Sequence, residues 1–261
     1  MNIYTKKVFG LLGMKVGYIL SIPRDMVNFI IGGIKLISQK RSDFPITGII
    51  PVIGDDHTAA GVIDSHYFLQ DIYMARKIRE NVQQMHYDIG SRVDGFISHL
   101  LCDNINVTMI DIRPLPQKVE GLSFIQGDAT DLCGFESESI DSLSTLHAVE
   151  HFGLSRYGAG IDANACVKAM KEMMRVLKVG GYLYFSVPIS YRNGTLYNSH
   201  RVFKPSYIRN IFDKLDLISF AYIHNYKVTE FYGNDAEQVI LDNLFNEYDC
   251  GMFVFRKSKS E

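Results

Sequence analysis

Two histidines and a glutamate stand within five residues at His147-Ala148-Val149-Glu150-His151. On a helical turn, positions 147, 150 and 151 share one face, so two imidazoles and a carboxylate would meet there. Three readings fit that trio. One histidine is a general base that removes a proton from an acceptor hydroxyl near neutral pH. Alternatively, the trio binds a divalent metal that lowers the acceptor's pKa, with His200 as a fourth ligand. Magnesium prefers oxygen ligands, which counts against it at a histidine-rich set, and no residue is assigned as a dedicated metal ligand. In the third reading Glu150 and His151 cap and pin a helix, while His147 contacts a cofactor. The order H-x-x-E-H also matches an inverse zinc-protease pattern, but the flanking elements are wrong for a protease. The catalytic candidates are His147, Glu150, His151 and His200.

A second set has the spacing of a nucleoside cofactor site. The turn Asp88-Ile89-Gly90-Ser91-Arg92 has a glycine that lets the backbone turn sharply and approach a ligand. Asp111 stands 23 residues after Asp88, where a carboxylate can accept both ribose hydroxyls. Asp128, in Gly127-Asp128-Ala129, is placed for an adenine edge. The candidate contacts are Asp88, Gly90, Ser91, Arg92, Asp111, Ile112, Asp128, Ala129 and His147. A nicotinamide-binding G-x-G-x-x-G is the alternative, with Gly90 and Gly95 as its ends. Its middle glycine is then Arg92, whose side chain would crowd a pyrophosphate.

The elements that must carry these residues read as alternating strands and helices. Residues 66–82 are an amphipathic helix, with Phe68, Ile72, Ala75, Ile78 and Val82 at helical spacing. Strands follow at 85–89, 107–110, 122–125, 140–146, 182–187, 217–223 and 251–255, with helices at 95–103, 164–177 and 205–215. Residues 42–64, rich in Gly and Pro, are loop with a short strand at 47–53. Residues 188–203 are a polar loop whose Tyr191, Arg192, Asn193, Asn198, Ser199, His200 and Arg201 are candidates to line an acceptor pocket. Repeated βα units make a parallel sheet covered on both faces, with ligands beyond the carboxyl ends of its strands.

The segment Arg175-Val176-Leu177-Lys178-Val179-Gly180-Gly181-Tyr182-Leu183 resembles the R-V-L-K-P-G-G-x-L of class I S-adenosylmethionine-dependent methyltransferases, with Val179 in place of proline. The resemblance covers about residues 85–255. It implies an α/β fold, a doubly wound, mostly parallel seven-stranded sheet of Rossmann-like methyltransferase type with an N-terminal helical extension, and S-adenosylmethionine as cofactor. That cofactor has no pyrophosphate, so Arg92 is better tolerated and is placed to pair with its carboxylate. Tyr67 and Asp71 on the 66–82 helix would close over its methionine end. Some members carry a magnesium-binding E-x-x-E-H where this chain has His147 first. The segments around 64–71, 88–96 and 198–203 are similar to a bacterial group associated with surface-polysaccharide synthesis. This implies O-methylation of a sugar or glycan hydroxyl. The alternatives are a nicotinamide-dependent oxidoreductase and a non-catalytic subunit that docks other enzymes at a membrane.

With 47% hydrophobic and 21% charged residues, the chain has the composition of a folded globular protein. Its net charge of −2 hides a split. Residues 1–41 hold seven basic residues and one acid, a net +6, and the other 220 hold 20 bases and 28 acids, a net −8. The acidic body makes nucleic acid an unexpected partner. The basic arm suggests either peripheral contact with a membrane surface or a helical lid with a solvated basic face. The parts are then a basic amphipathic arm at 1–41, loop and cap helix at 42–82, and the cofactor domain at 83–258. No apolar run reaches the roughly 20 residues of a spanning helix. Lys15 interrupts the first apolar stretch and no A-x-A-like site follows, so no cleaved signal is expected. Four scattered cysteines without a C-x-x-C pair read as reduced, mostly buried thiols in a cytoplasmic protein.

Overall fold

The computed structural model describes residues 16–39, 46, 48–50, 63–81, 85–197 and 199–258. Val82, Asn198 and the expected strand at 47–53, apart from residues 48–50, lie outside the described residues. Those three carry no strand. The chain divides into two compact units, Met1–Ile63 and Asp64–Glu261. The first contains helix α1 (Val16–Ser38).

The second unit opens with α2 (Ser65–Asn81). The Asp64 carboxylate accepts the backbone N–H groups of His66 and Tyr67 at 3.0 and 3.1 Å, which satisfies donors that a helix start leaves open. Met74, Ala75 and Ile78 then turn one face into the core. There follow β1 (Met85–Ile89), a π turn (Val93–Ile97) continuing into α3 (Ser98–Cys102), β2 (Asn106–Asp111), β3 (Leu122–Gln126) and β4 (Ile140–Leu146). After a 3-10 turn (Val149–His151) come α4 (Ala165–Val176), β5 (Leu177–Ile189), the short strands β6 (Gly194–Leu196) and β7 (His200–Val202), and α5 (Pro205–Ile211). The unit ends with β8 (Leu215–His224), β9 (Lys227–Tyr232), α6 (Gly233–Asp242) and β10 (Asp249–Lys257).

The main sheet has the order β3-β2-β1-β4-β5-β10-β8-β9. β1 to β5 pair in parallel, and β10 runs antiparallel to both β5 and β8. This is the expected doubly wound sheet with one strand more. The extra strand is β9, joined to β8 by a two-residue turn in which His224 pairs with Lys227. Asn225 and Tyr226 both have positive φ, 46° and 61°, as a tight hairpin turn requires. Tyrosine is a poor residue for that conformation, so Asn225-Tyr226 lacks the Asn-Gly signature of a two-residue hairpin.

Strand order reverses between β1 and β4, and the crevice at their carboxyl ends is where such folds take ligands. Under the sheet, Ala169, Met170, Met173 and Val176 of α4 pack on Leu143, Leu183 and Phe185. On the other face, α2 supplies Met74 and Ile78 against Tyr184 and Met252. The Gly180-Gly181 pair has a structural reason. Gly180 has φ +85°, and a Cβ on Gly181 would stand 2.9 Å from the Asp141 carbonyl. This is where the β4–β5 register shifts. All four cysteines are free thiols, but only Cys166 and Cys250 are buried, while Cys102 and Cys133 are exposed. The expectation of mostly buried thiols holds for two of them.

Candidate active site

A cavity of about 620 Å³ opens at the β1/β4 switch point. Tyr67, Gly90, Ser91, Arg92, Asp111, Ile112, Asp128, Ala129, His147 and His151 all line it. The turn at its floor is built from below. Asp88 is fully buried and accepts the Ser91 N–H at 3.0 Å, the Ser91 hydroxyl at 2.7 Å and the Ser144 hydroxyl. Burial raises its pKa to about 6, against those hydrogen bonds. His86 is buried between the hydroxyls of Ser142 and Ser144 at 2.7 and 2.8 Å, and burial lowers its pKa to about 3. Asp88 was expected as a ligand contact. It does not line the cavity and instead pins the turn above it.

Gly90 has φ +71°, and a Cβ there would stand 3.0 Å from the Ala148 Cβ. Gly90→Ala should therefore cost about 1–2 kcal/mol from the left-handed backbone alone, read as a lowered Tm. An unchanged Tm would remove the strain argument.

Asp111 ends β2 at the cavity wall, where the spacing put it. Its carboxylate is engaged by Arg113, whose Nε lies at 3.0 Å, a terminal nitrogen at 2.6 Å and backbone N–H at 2.8 Å. The Arg113 guanidinium also lies 4.5 Å from the centre of the Tyr157 ring. Both residues line the cavity and neither was expected there. Arg92 pairs with Asp94 at 3.2 Å, with both side chains mostly exposed, and lies 5.4 Å from the Tyr67 ring centre. Asp71 misses the cavity. It is buried, takes a hydrogen bond from the Gln70 amide at 3.1 Å, and occupies the space a Cβ on Gly95 would need.

The His147–His151 segment is not one helical face. His147 has φ +50°, and only Val149–His151 forms a turn, of 3-10 type. That kink drives the His147 ring inward, to 3% side-chain exposure. Its Nδ1 meets Glu150 Oε1 at 2.9 Å and its Nε2 meets Cys250 Sγ at 3.4 Å. Burial alone would lower the ring's pKa, but the Glu150 carboxylate and the Cys250 sulfur outweigh it and push it up to about 10. With both nitrogens engaged and the ring protonated at neutral pH, His147 has no lone pair to offer. The general-base reading, which the sequence leaves open to either histidine of the segment, therefore falls to His151.

His151 has that lone pair. Its Nδ1 lies 2.7 Å from the Ser199 carbonyl oxygen and 3.3 Å from a terminal nitrogen of Arg156, which itself donates to that carbonyl at 3.1 Å. A carbonyl only accepts, so Nδ1 carries the proton and Nε2 is the open acceptor. Glu150 Oε1 is 3.8 Å from that Nε2. A proton arriving there meets a carboxylate that is 1% exposed. His200 does not line the cavity. Its Nδ1 contacts the Ser199 hydroxyl at 2.8 Å and its ring meets those of His151 and Tyr248 edge to face. Burial lowers its pKa. Among the described residues, no group of three or more His, Cys, Asp or Glu side chains is arranged to hold a metal ion. The proposed metal set of His147, Glu150, His151 and His200 is thus not assembled.

The polar segment expected to line an acceptor pocket works mainly as a strut. The Ser199 carbonyl orients His151, and Arg201 donates to the Phe152 carbonyl at 2.6 Å. The cavity's outer wall comes instead from 152–162, a stretch with Gly153, Gly158 and Gly160. A Cβ on Gly153 would collide with the Asp162 carbonyl. That glycine density was the available signal for a tightly folded wall.

A family model described as "Caenorhabditis protein of unknown function, DUF268" matches residues 128–248, less than half of the chain. No curated protein matches the sequence. Among solved structures, the chain is similar to the 1,6-didemethyltoxoflavin-N1-methyltransferase of Burkholderia thailandensis, which was solved with 1,6-didemethyltoxoflavin and S-adenosylhomocysteine. The TM-score is 0.54 and the identity 13%, over 75% of this chain and 80% of that one. It is also similar to a phosphoethanolamine N-methyltransferase of Haemonchus contortus in complex with phosphomonomethylethanolamine and S-adenosylhomocysteine, with TM-score 0.50 and identity 13%, over 74% of this chain and 53% of that one. At these identities the likeness shows a shared fold, that of the class I S-adenosylmethionine-dependent methyltransferases.

Proposed function

We propose that the protein is an S-adenosylmethionine-dependent methyltransferase whose acceptor is a hydroxyl group, of a sugar or glycan. The observation that carries this reading is the placement of His151, with Glu150 beneath it, in the same cavity as the Gly90 turn and Asp111. The residues fit the cofactor. The Gly90 turn lines the cavity together with Asp111 and Asp128, which bring carboxylates to the ends of β2 and β3. The cavity volume lies within the usual range of ligand sites.

When bound, S-adenosylmethionine supplies an electrophilic methyl group. The chain's own residues do the rest. Asp111, which Arg113 engages here, would hold the ribose hydroxyls, and Asp128 would serve the adenine. Nε2 of His151 removes the acceptor's proton, and Glu150 stabilises the resulting imidazolium. A hydroxyl is a weak nucleophile that needs such a base. The ring of Tyr157, which lines the cavity beside His151, suits the C–H face of a sugar ring.

Isothermal titration with S-adenosylhomocysteine tests the cofactor. Binding is expected for the wild type. Asp111→Asn should weaken it about 10–100-fold, the worth of charge-assisted hydrogen bonds. No heat at millimolar ligand, or NADH binding in its place, would overturn the reading. Labelled S-adenosylmethionine offered with a panel of nucleotide sugars and glycans then tests the acceptor.

A further inference from the structure

The active site leaves helix α1 (Val16–Ser38) without a role. At about 100° per residue, Met26, Val27, Ile30, Ile31, Ile34 and Ile37 fall within one half of its circumference. Arg24, Asn28 and Lys35 cluster on the other side. Those six aliphatic side chains are 38–64% exposed. Ile46, Ile49 and Ile50 beyond the helix are exposed as well. A continuous aliphatic stripe over several turns is more than a soluble surface ordinarily shows.

We infer that α1 is an in-plane membrane anchor, with its aliphatic stripe seated among the acyl chains of an anionic lipid surface. Charge decides for lipid over a second copy of the chain. Residues 1–41 carry seven basic residues and one acid, so two such arms repel each other, while anionic headgroups attract each of them. Lys6, Lys7, Lys15, Lys40 and Arg41 flank the helix in sequence. An amphipathic helix with cations on its polar side lies flat at the headgroup boundary. Among the described residues, no helix is long and apolar enough to cross a membrane. Pro23 and the Gly32-Gly33 pair further suit a surface helix that can bend.

The test uses the full chain and vesicles of phosphatidylcholine with or without phosphatidylglycerol. Binding to the anionic vesicles should exceed binding to the neutral ones at least about tenfold at 0.1 M salt, and should fall in 0.5 M salt. Ile30→Asp with Ile34→Asp should lower anionic-vesicle binding by about tenfold or more. Both positions are exposed, so circular dichroism of the body should not change. The chain has no tryptophan, so Ile34→Trp gives a single probe whose emission should shift to the blue only with anionic vesicles. Three results would overturn the inference. One is equal or absent binding to the two vesicle types. Another is binding indifferent to the aspartate pair. The third is a blue-shifted Ile34→Trp emission without lipid, in a dimer that the aspartate pair dissolves, which would give the stripe to a second copy.

Discussion

His151→Ala is expected to slow methyl transfer to a hydroxyl acceptor about 10²–10⁴-fold while leaving affinity for S-adenosylhomocysteine within about twofold of wild type. The expectation rests on one hydrogen bond. Nδ1–H donates to the Ser199 carbonyl at 2.7 Å, which leaves Nε2 as the only ring atom able to receive the acceptor's proton. The same segment contains a control. His147 lies four residues earlier with a second imidazole, but that ring is clamped between Glu150 and Cys250 and already protonated. His147→Ala should act mainly through lowered stability. Single-turnover rates for the two variants at a temperature where both are folded separate the roles. An unchanged rate in His151→Ala, or a larger chemical defect in folded His147→Ala, would return the base to His147.

Glu150→Gln should cost about 3–5 kcal/mol of stability, the usual consequence of leaving one member of a buried ion pair without its partner. Its side chain is 1% exposed, and it holds the equally buried His147 at 2.9 Å. The pH dependence gives the sharper result. The folded-state pKa of His147, about 10, lies above its ordinary 6.5. The stabilisation is therefore complete below about pH 6.5 and drains away as pH rises through 10. Wild-type Tm should fall across that window. In Glu150→Gln, burial dominates and favours the neutral ring, so the slope should vanish there and the loss should appear on the acid side. Calorimetric Tm values at pH 5, 7 and 9.5 for both proteins decide it, and parallel profiles would remove the pair from the account. The same variant should also slow transfer, because the protonated His151 loses the carboxylate 3.8 Å away.

Much of the architecture was legible from local pattern. Apolar runs of strand length ending in Asp88, Asp111 and Gly127-Asp128 mark where strands stop and loops meet a ligand, and those ends do converge on one cavity. α4 was visible because its buried residues recur at helical spacing. The chain hid β9 because its turn uses Asn225-Tyr226, and it hid α6, whose buried Ala236 and Ile240 are too few to signal a helix. Asp88 reads as a ligand contact because an acid beside a glycine turn looks the same whether it faces outward or supports the turn from within, and Asp71 because helical spacing places it near Tyr67 without showing that its carboxylate is buried.

The order of residues alone determined the fold class, the carboxyl-edge location of the site and the division into a +6 arm and a −8 body, because periodicity, strand length and charge are local or additive properties. Only tertiary structure decided what each imidazole can do. The left-handed backbone at His147 sends one ring to Glu150 and Cys250. The carbonyl of Ser199, 48 residues away in the chain, sets the tautomer of the other. Proton affinity depends on burial and on the partners within a few ångströms. Glu150 belongs to the same segment, but Cys250 comes from β10 and Ser199 from the hairpin of β6 and β7, which no spacing around residue 150 reveals.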